Sequence, residues 1–105
     1  MTNAKPLRGT ELRYVLTHYL HHHGPCSIGE LAAELAARGF RVRGRPSKAI
    51  SDALRWEREH GRVYRAGRGR YRPASMPRST EYRIHQRVMA LRAQAAGHAP
   101  VRNPT

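Results

Sequence analysis

The chain has 105 residues, 39% of them hydrophobic, which suffices for one compact domain with short appendages but not for a sizeable buried substrate cavity. Its 20 Lys and Arg against 7 Asp and Glu, a net charge of +13, make polyanions the natural partners, either nucleic acid or an acidic membrane surface. No apolar run reaches membrane-spanning length, residues 1–9 lack the apolar core of a signal peptide, and the single cysteine, Cys26, permits no internal disulfide; a cytoplasmic location is expected.

Residues 1–9 are polar and read as a flexible N-terminus. Thr10 can cap a first helix in which Leu12, Val15, Leu16, Tyr19, Leu20 and His23 recur at helical spacing, stopped by Gly24-Pro25. Ser27 and Glu30 form a capping box for a second helix, with Ile28, Leu31, Ala32 and Leu35 on one face, ending at Gly39. Phe40 and Val42 are candidate core anchors in the connection that follows. Pro46 suits a first turn, and a third helix runs over residues 47–60 on the apolar positions Ile50, Ala53 and Leu54. Residues 62–66 and 70–72 read as two short strands around Gly67-Arg68-Gly69, and Tyr71 is the candidate to plug the core beside the helices. Residues 74–78 are a Pro-flanked linker, residues 79–96 a last helix and residues 97–105 a disordered tail.

The expected fold is therefore mainly α with a small β-hairpin: a winged helix-turn-helix over residues 10–73, made of a three-helix core and a two-stranded wing, plus an extra C-terminal helix. The charge is unevenly spread over it. Residues 1–37 carry three cations and three anions, residues 38–72 twelve against three, and residues 73–105 five against one. Eighteen of the 20 cations are arginine, which favours bidentate contacts to phosphate and guanine.

Residues 12–71 resemble a winged helix of the HARE-HTH type, through Gly24-Pro25, Ser27-Ile28-Gly29-Glu30-Leu31, Gly39-Phe40, Ala49-Ile50-Ser51-Asp52-Ala53-Leu54 and Gly67-Arg68-Gly69-Arg70-Tyr71. The resemblance implies a DNA-binding or chromatin-associated module without catalysis of its own. One departure is Trp56-Glu57, where the general winged-helix pattern has a leucine near the end of the third helix.

Three sets of residues are the candidate contacts to double-stranded DNA. On the third helix, Ser47, Lys48, Ser51, Asp52 and Arg55 face the bases, although Lys48 and Asp52 could equally pair with each other at i,i+4. Before it stand Arg41, Arg43 and Arg45, and Arg43-Gly44-Arg45-Pro46 also matches the core of an AT-hook, which lies extended in an A·T-rich minor groove. In the wing, Arg65, Arg68 and Arg70 are expected on the phosphate backbone or in the minor groove.

In the last helix Ile84, Val88, Leu91 and Ala95 form a heptad-like seam, expected to make a homodimer. The alternative is that the stripe folds back on its own domain. His18, His21, His22 and His23 with Cys26 nearby are read as a helix end rather than a metal site, since His60, His85 and His98 are scattered. No cofactor, small-molecule ligand or membrane contact is indicated, and no carboxylate pair, nucleophile signature or phosphate loop points to an enzyme. The expectation is a nucleoid-associated protein or transcription regulator; a protein-docking winged helix and an RNA binder stacking bases on Trp56, Tyr64 and Tyr71 are the alternatives.

Overall fold

The structure, a computed structural model, describes residues 4–98. In chain order the elements are β1 (Lys5–Leu7), α1 (Gly9–His23), β2 (Cys26–Ser27), α2 (Ile28–Ala37), β3 (Phe40–Val42), α3 (Pro46–Glu59), β4 (Val63–Arg65), β5 (Arg70–Pro73) and α4 (Arg78–His98). The fold is mainly helical with two small sheets. Among the described residues no helix is long and apolar enough to cross a membrane.

The apolar stripe of α1 is buried at Leu12, Val15, Leu16 and Leu20. The helix begins at Gly9, one residue before the expected cap; Glu11 accepts from the Arg8 backbone N–H at 3.3 Å, and the Thr10 hydroxyl accepts from Arg13 instead. Ser27 and Glu30 form the reciprocal capping box of α2: the Glu30 N–H donates to Ser27 Oγ at 3.1 Å and the Ser27 N–H to Glu30 Oε1 at 2.8 Å. Pro46 occupies the first turn of α3, which buries Ile50, Ala53 and Leu54 against α1 and α2.

The turn after α3 is held by a buried charge. Glu57 is 1% exposed and takes three partners: the Thr17 hydroxyl at 2.9 Å, Arg62 at 3.2 Å and Arg13 at 3.6 Å. It thereby ties α1 to the C-terminal end of α3 and to the entry of β4, and each of its carboxylate oxygens has a hydrogen-bond donor. Trp56, its neighbour, lies between the guanidinium of Arg13 at 3.9 Å and the stacked ring of His60 at 3.5 Å. The Trp56-Glu57 departure in the sequence thus marks a clamp between α1 and α3.

β4 and β5 form the expected hairpin, with Tyr64 opposite Arg72 and Arg65 opposite Tyr71. Tyr71, the candidate to plug the core, is buried there, between the exposed Arg70 and Arg72 of the same strand. A third strand joins them: β2, only Cys26–Ser27, pairs antiparallel with β5, giving the order β2-β5-β4. This stitches the connection between α1 and α2 to the hairpin.

Two expectations about the ends are corrected. Residues 5–7 are not a flexible lead but strand β1, parallel to β3 with Leu7 opposite Val42, and Leu7 is 2% exposed. The remaining residues of that expectation, 1–3, lie outside the described residues, as do 99–105 of the expected tail; residues 97 and 98 close α4.

The second correction concerns α4. Ile84, Val88, Leu91 and Ala95, expected as a dimer seam, are between 0% and 3% exposed within this single chain, packed with α1 and β1 into one core. The short segment before the helix is part of that core too, since Ala74 is buried and Met76 packs on it. A stripe spaced 4, 3 and 4 fits any apolar groove, and here the groove left open by the short helices of the domain is the nearer one. Gly39, which takes φ +84° just past the end of α2, lies beside Ala95 of α4.

Candidate nucleic-acid interface

Tertiary contacts divide the twelve cations of residues 38–72 into two groups. Five are engaged. Arg38 donates to Glu34 at 2.7 Å, Arg41 to the Ala4 carbonyl at 3.2 Å and Arg62 to Glu57 at 3.2 Å. Lys48 pairs with Asp52 at 3.1 Å along α3. Arg70 donates to the Pro25 carbonyl at 3.0 Å and stands 3.7 Å from Glu30, fastening β5 to the start of α2. The other seven, Arg43, Arg45, Arg55, Arg58, Arg65, Arg68 and Arg72, have no carboxylate within ion-pair distance among the described residues and are exposed.

These seven occupy three neighbouring places. Arg43 and Arg45 stand on the approach to α3, Arg55 and Arg58 on its exposed face, and Arg65, Arg68 and Arg72 on the hairpin. Four of them line one polar groove of about 610 Å³ between α3 and the hairpin: Arg55, Arg58, Arg65 and Arg72, with Tyr64 on its wall and Glu59 as its one acid. Four like charges around one groove favour an anionic partner there. Sequence reading missed Arg58 and Arg72 as site residues. The signal was present for Arg58, three positions after Arg55 on the same helix face, and for Arg72, cross-strand from Tyr64, over whose ring its guanidinium stands at 5.1 Å.

Of the other expected contacts, Ser47 is exposed in the first turn of α3 and Ser51 is half-buried. Lys48 and Asp52 satisfy each other, so the i,i+4 reading of that pair is the one observed. The Arg43-Gly44-Arg45 segment turns rather than extends, because Gly44 adopts φ +75°. That geometry differs from the extended rod an AT-hook requires, and leaves Arg43 and Arg45 as separate exposed groups. Of the three aromatic faces considered for base stacking, Trp56 is covered by Arg13 and His60 and Tyr71 is buried; Tyr64 alone is open, at 48% exposure.

A second constellation gathers away from the arginines. His85 of α4 comes to the face of α1 that carries His18 and His22, and the ligand nitrogens of these three lie within 4.8 Å of one another. His18 Nε2 is 3.1 Å from His85 Nδ1. Partial burial, then the neighbouring His22 and His85, hold the His18 imidazole down to a pKa of about 4, so it is neutral near pH 7. His21 pairs with Glu81 on the same side. Cys26 is not in this group: its thiol donates to the Gly24 carbonyl at 3.4 Å and is buried in the sheet, which raises its pKa and leaves it protonated. His85 was not legible as a partner because it stands 67 positions after His18.

No protein-family model matches this chain, and neither a curated protein nor a solved structure matches it.

Proposed function

We propose that the chain is a winged-helix protein that binds double-stranded DNA, with α3 in the major groove and the β4–β5 hairpin as an arginine-rich wing along the phosphates. The order of α1, β2, α2, α3 and the β4–β5 hairpin supports the winged-helix reading, with β3, paired to β1, inserted between α2 and α3, and so does β2, whose pairing with β5 joins the wing to the start of α2. The observation that carries the function is the set of seven arginines with no carboxylate partner among the described residues, all between Arg43 and Arg72 on the approach, the helix face and the wing. Duplex DNA offers a row of phosphates about 7 Å apart along each strand, and arginine meets them bidentately. With Lys48 and Asp52 engaged with each other, Arg55 is the strongest base reader left on α3, so affinity comes mainly from the backbone and sequence selectivity is modest. This is the profile of a nucleoid-associated protein more than of a regulator reading a long operator.

The test is a fluorescence-anisotropy titration of short duplexes, one A·T-rich and one G·C-rich, over a salt series. Six neutralised phosphates give a log-log slope of about −5, with similar affinities for the two duplexes. A slope near zero, or no binding at low salt, overturns the proposal in favour of a protein-docking module. Tighter binding to RNA of matched length overturns it in favour of RNA, a reading weakened by Tyr64 being the one open stacking face of the three.

A further inference from the structure

We propose that His18 and His22 of α1 and His85 of α4 form a site for a zinc-class divalent cation that clamps the last helix onto the first. Two of the three belong to the histidine run of α1, and the fold brings the third, His85, to them from α4. Their ligand nitrogens lie within 4.8 Å of one another. Two nitrogens bound to one tetrahedral zinc at about 2.0–2.1 Å stand roughly 3.3 Å apart. The 3.1 Å between His18 Nε2 and His85 Nδ1 is already close to that.

His22 completes the set. It is one helical turn from His18, with ring centroids 4.3 Å apart, and it is exposed, so its ring can rotate the remaining ångström toward a bound ion. An open cleft of about 530 Å³ bordered by all three rings, Val88 and Met89 offers an entry path. Arg38 and Arg92 border the same cleft and oppose a cation, but Arg38 is paired with Glu34, and Glu81 stands one turn before His85 against His21. Arg78 also stands beside His22 and His85, so the two carboxylates offset two of three guanidinium groups around the site. Three imidazoles select borderline metals such as Zn²⁺, Co²⁺ and Ni²⁺ over Mg²⁺ or Ca²⁺, and they leave a fourth position for water.

What the ion would do follows from which elements it joins. The α1–α4 contact is the most extensive of those that attach α4 to the rest of the domain, and a ligand bound only by the folded arrangement stabilises it by mass action.

The experiment uses the full chain without an affinity tag, stripped with a chelator and titrated with Zn²⁺ by calorimetry and with Co²⁺ by absorption spectroscopy. The expected result is one high-affinity Zn²⁺ per chain, a Co²⁺ spectrum of four-coordinate intensity, and a Tm raised by at least about 5 °C at a hundredfold excess over Kd. His22→Ala, at an exposed position that leaves the core intact, lowers Zn²⁺ affinity at least about tenfold, as does His85→Gln, whereas His60→Ala changes nothing. Affinity unchanged by His22→Ala overturns the site, and so does absence of binding at millimolar Zn²⁺, which leaves the His18–His85 contact as a plain hydrogen bond. Binding with no rise in Tm overturns the clamp.

Discussion

Glu57 carries more of the structure than any other single polar side chain. Buried, it accepts from Thr17 of α1 and from Arg62 just before β4, pairs with Arg13 of α1, and its backbone carbonyl also receives the Arg62 N–H at 2.9 Å. Truncation leaves the buried Thr17 hydroxyl without its acceptor while Arg13 and Arg62, both partly exposed, turn to water. Glu57→Ala is therefore expected to cost about 2–3 kcal/mol in urea unfolding, less than a fully enclosed ion pair costs. A loss within about 0.5 kcal/mol would remove the clamp from the account.

His18 gives a pH dependence with a definite sign. Its pKa is held down to about 4 in the folded chain against 6.5 when unfolded, through burial, His22, His85, Arg38 and Arg92. Between those two values the unfolded state binds the extra proton, so this group's contribution makes stability fall as pH drops from about 6.5 toward 4 and leaves it level above that window. The midpoint of unfolding followed against pH in the presence of chelator checks this. His18→Asn should flatten the profile, and an unchanged profile would mean that another group sets it.

At the scale of elements, α4 is where the sequence and the structure part most clearly. The seam of Ile84, Val88, Leu91 and Ala95 was visible, but its spacing is the same whether the groove belongs to another chain or to the same one. What decides between them is the surface that α1 leaves uncovered, at Val15 and Leu16 among others, and that depends on how the helices cross. Leu91→Ala should therefore destabilise the monomer by about 3 kcal/mol, with an unfolding midpoint that does not move with protein concentration. A midpoint that rises with concentration would restore the dimer seam. Other elements were legible from local chemistry alone: the Ser27–Glu30 box, Pro46 in the first turn of α3, and the glycine-rich hairpin with Tyr71 turned inward. β1 and β2 were not, because strands of three and two residues carry no alternation to read and exist only through partners far along the chain, β3 and β5.

For the molecule as a whole, the sequence located the basic segment but could not say which of its charges are already spoken for. Arg41 and Arg70, expected on DNA, donate to backbone carbonyls at Ala4 and Pro25, groups brought near only by folding. Arg58 and Arg72, not expected there, face the groove between α3 and the hairpin. The candidate surface thus loses Lys48 and Asp52 and gains Arg58 on α3, exchanges Arg70 for Arg72 on the hairpin, and favours phosphate over base contacts. A single chain carries the whole of it, since α4 is folded into the domain rather than held out for a partner.

The most direct measurement compares two arginines that stand two positions apart in sequence and differ in role: the salt slope of duplex binding for Arg68→Ala and for Arg70→Ala. Arg68 has no carboxylate partner, so its loss should weaken both duplexes alike and flatten the slope by about one unit. Arg70 is held by Pro25 and Glu30, so its loss should lower stability and leave the slope as it was. An unchanged slope for Arg68→Ala with binding intact, or an equal flattening for both, would contradict the division of the arginines on which the account rests.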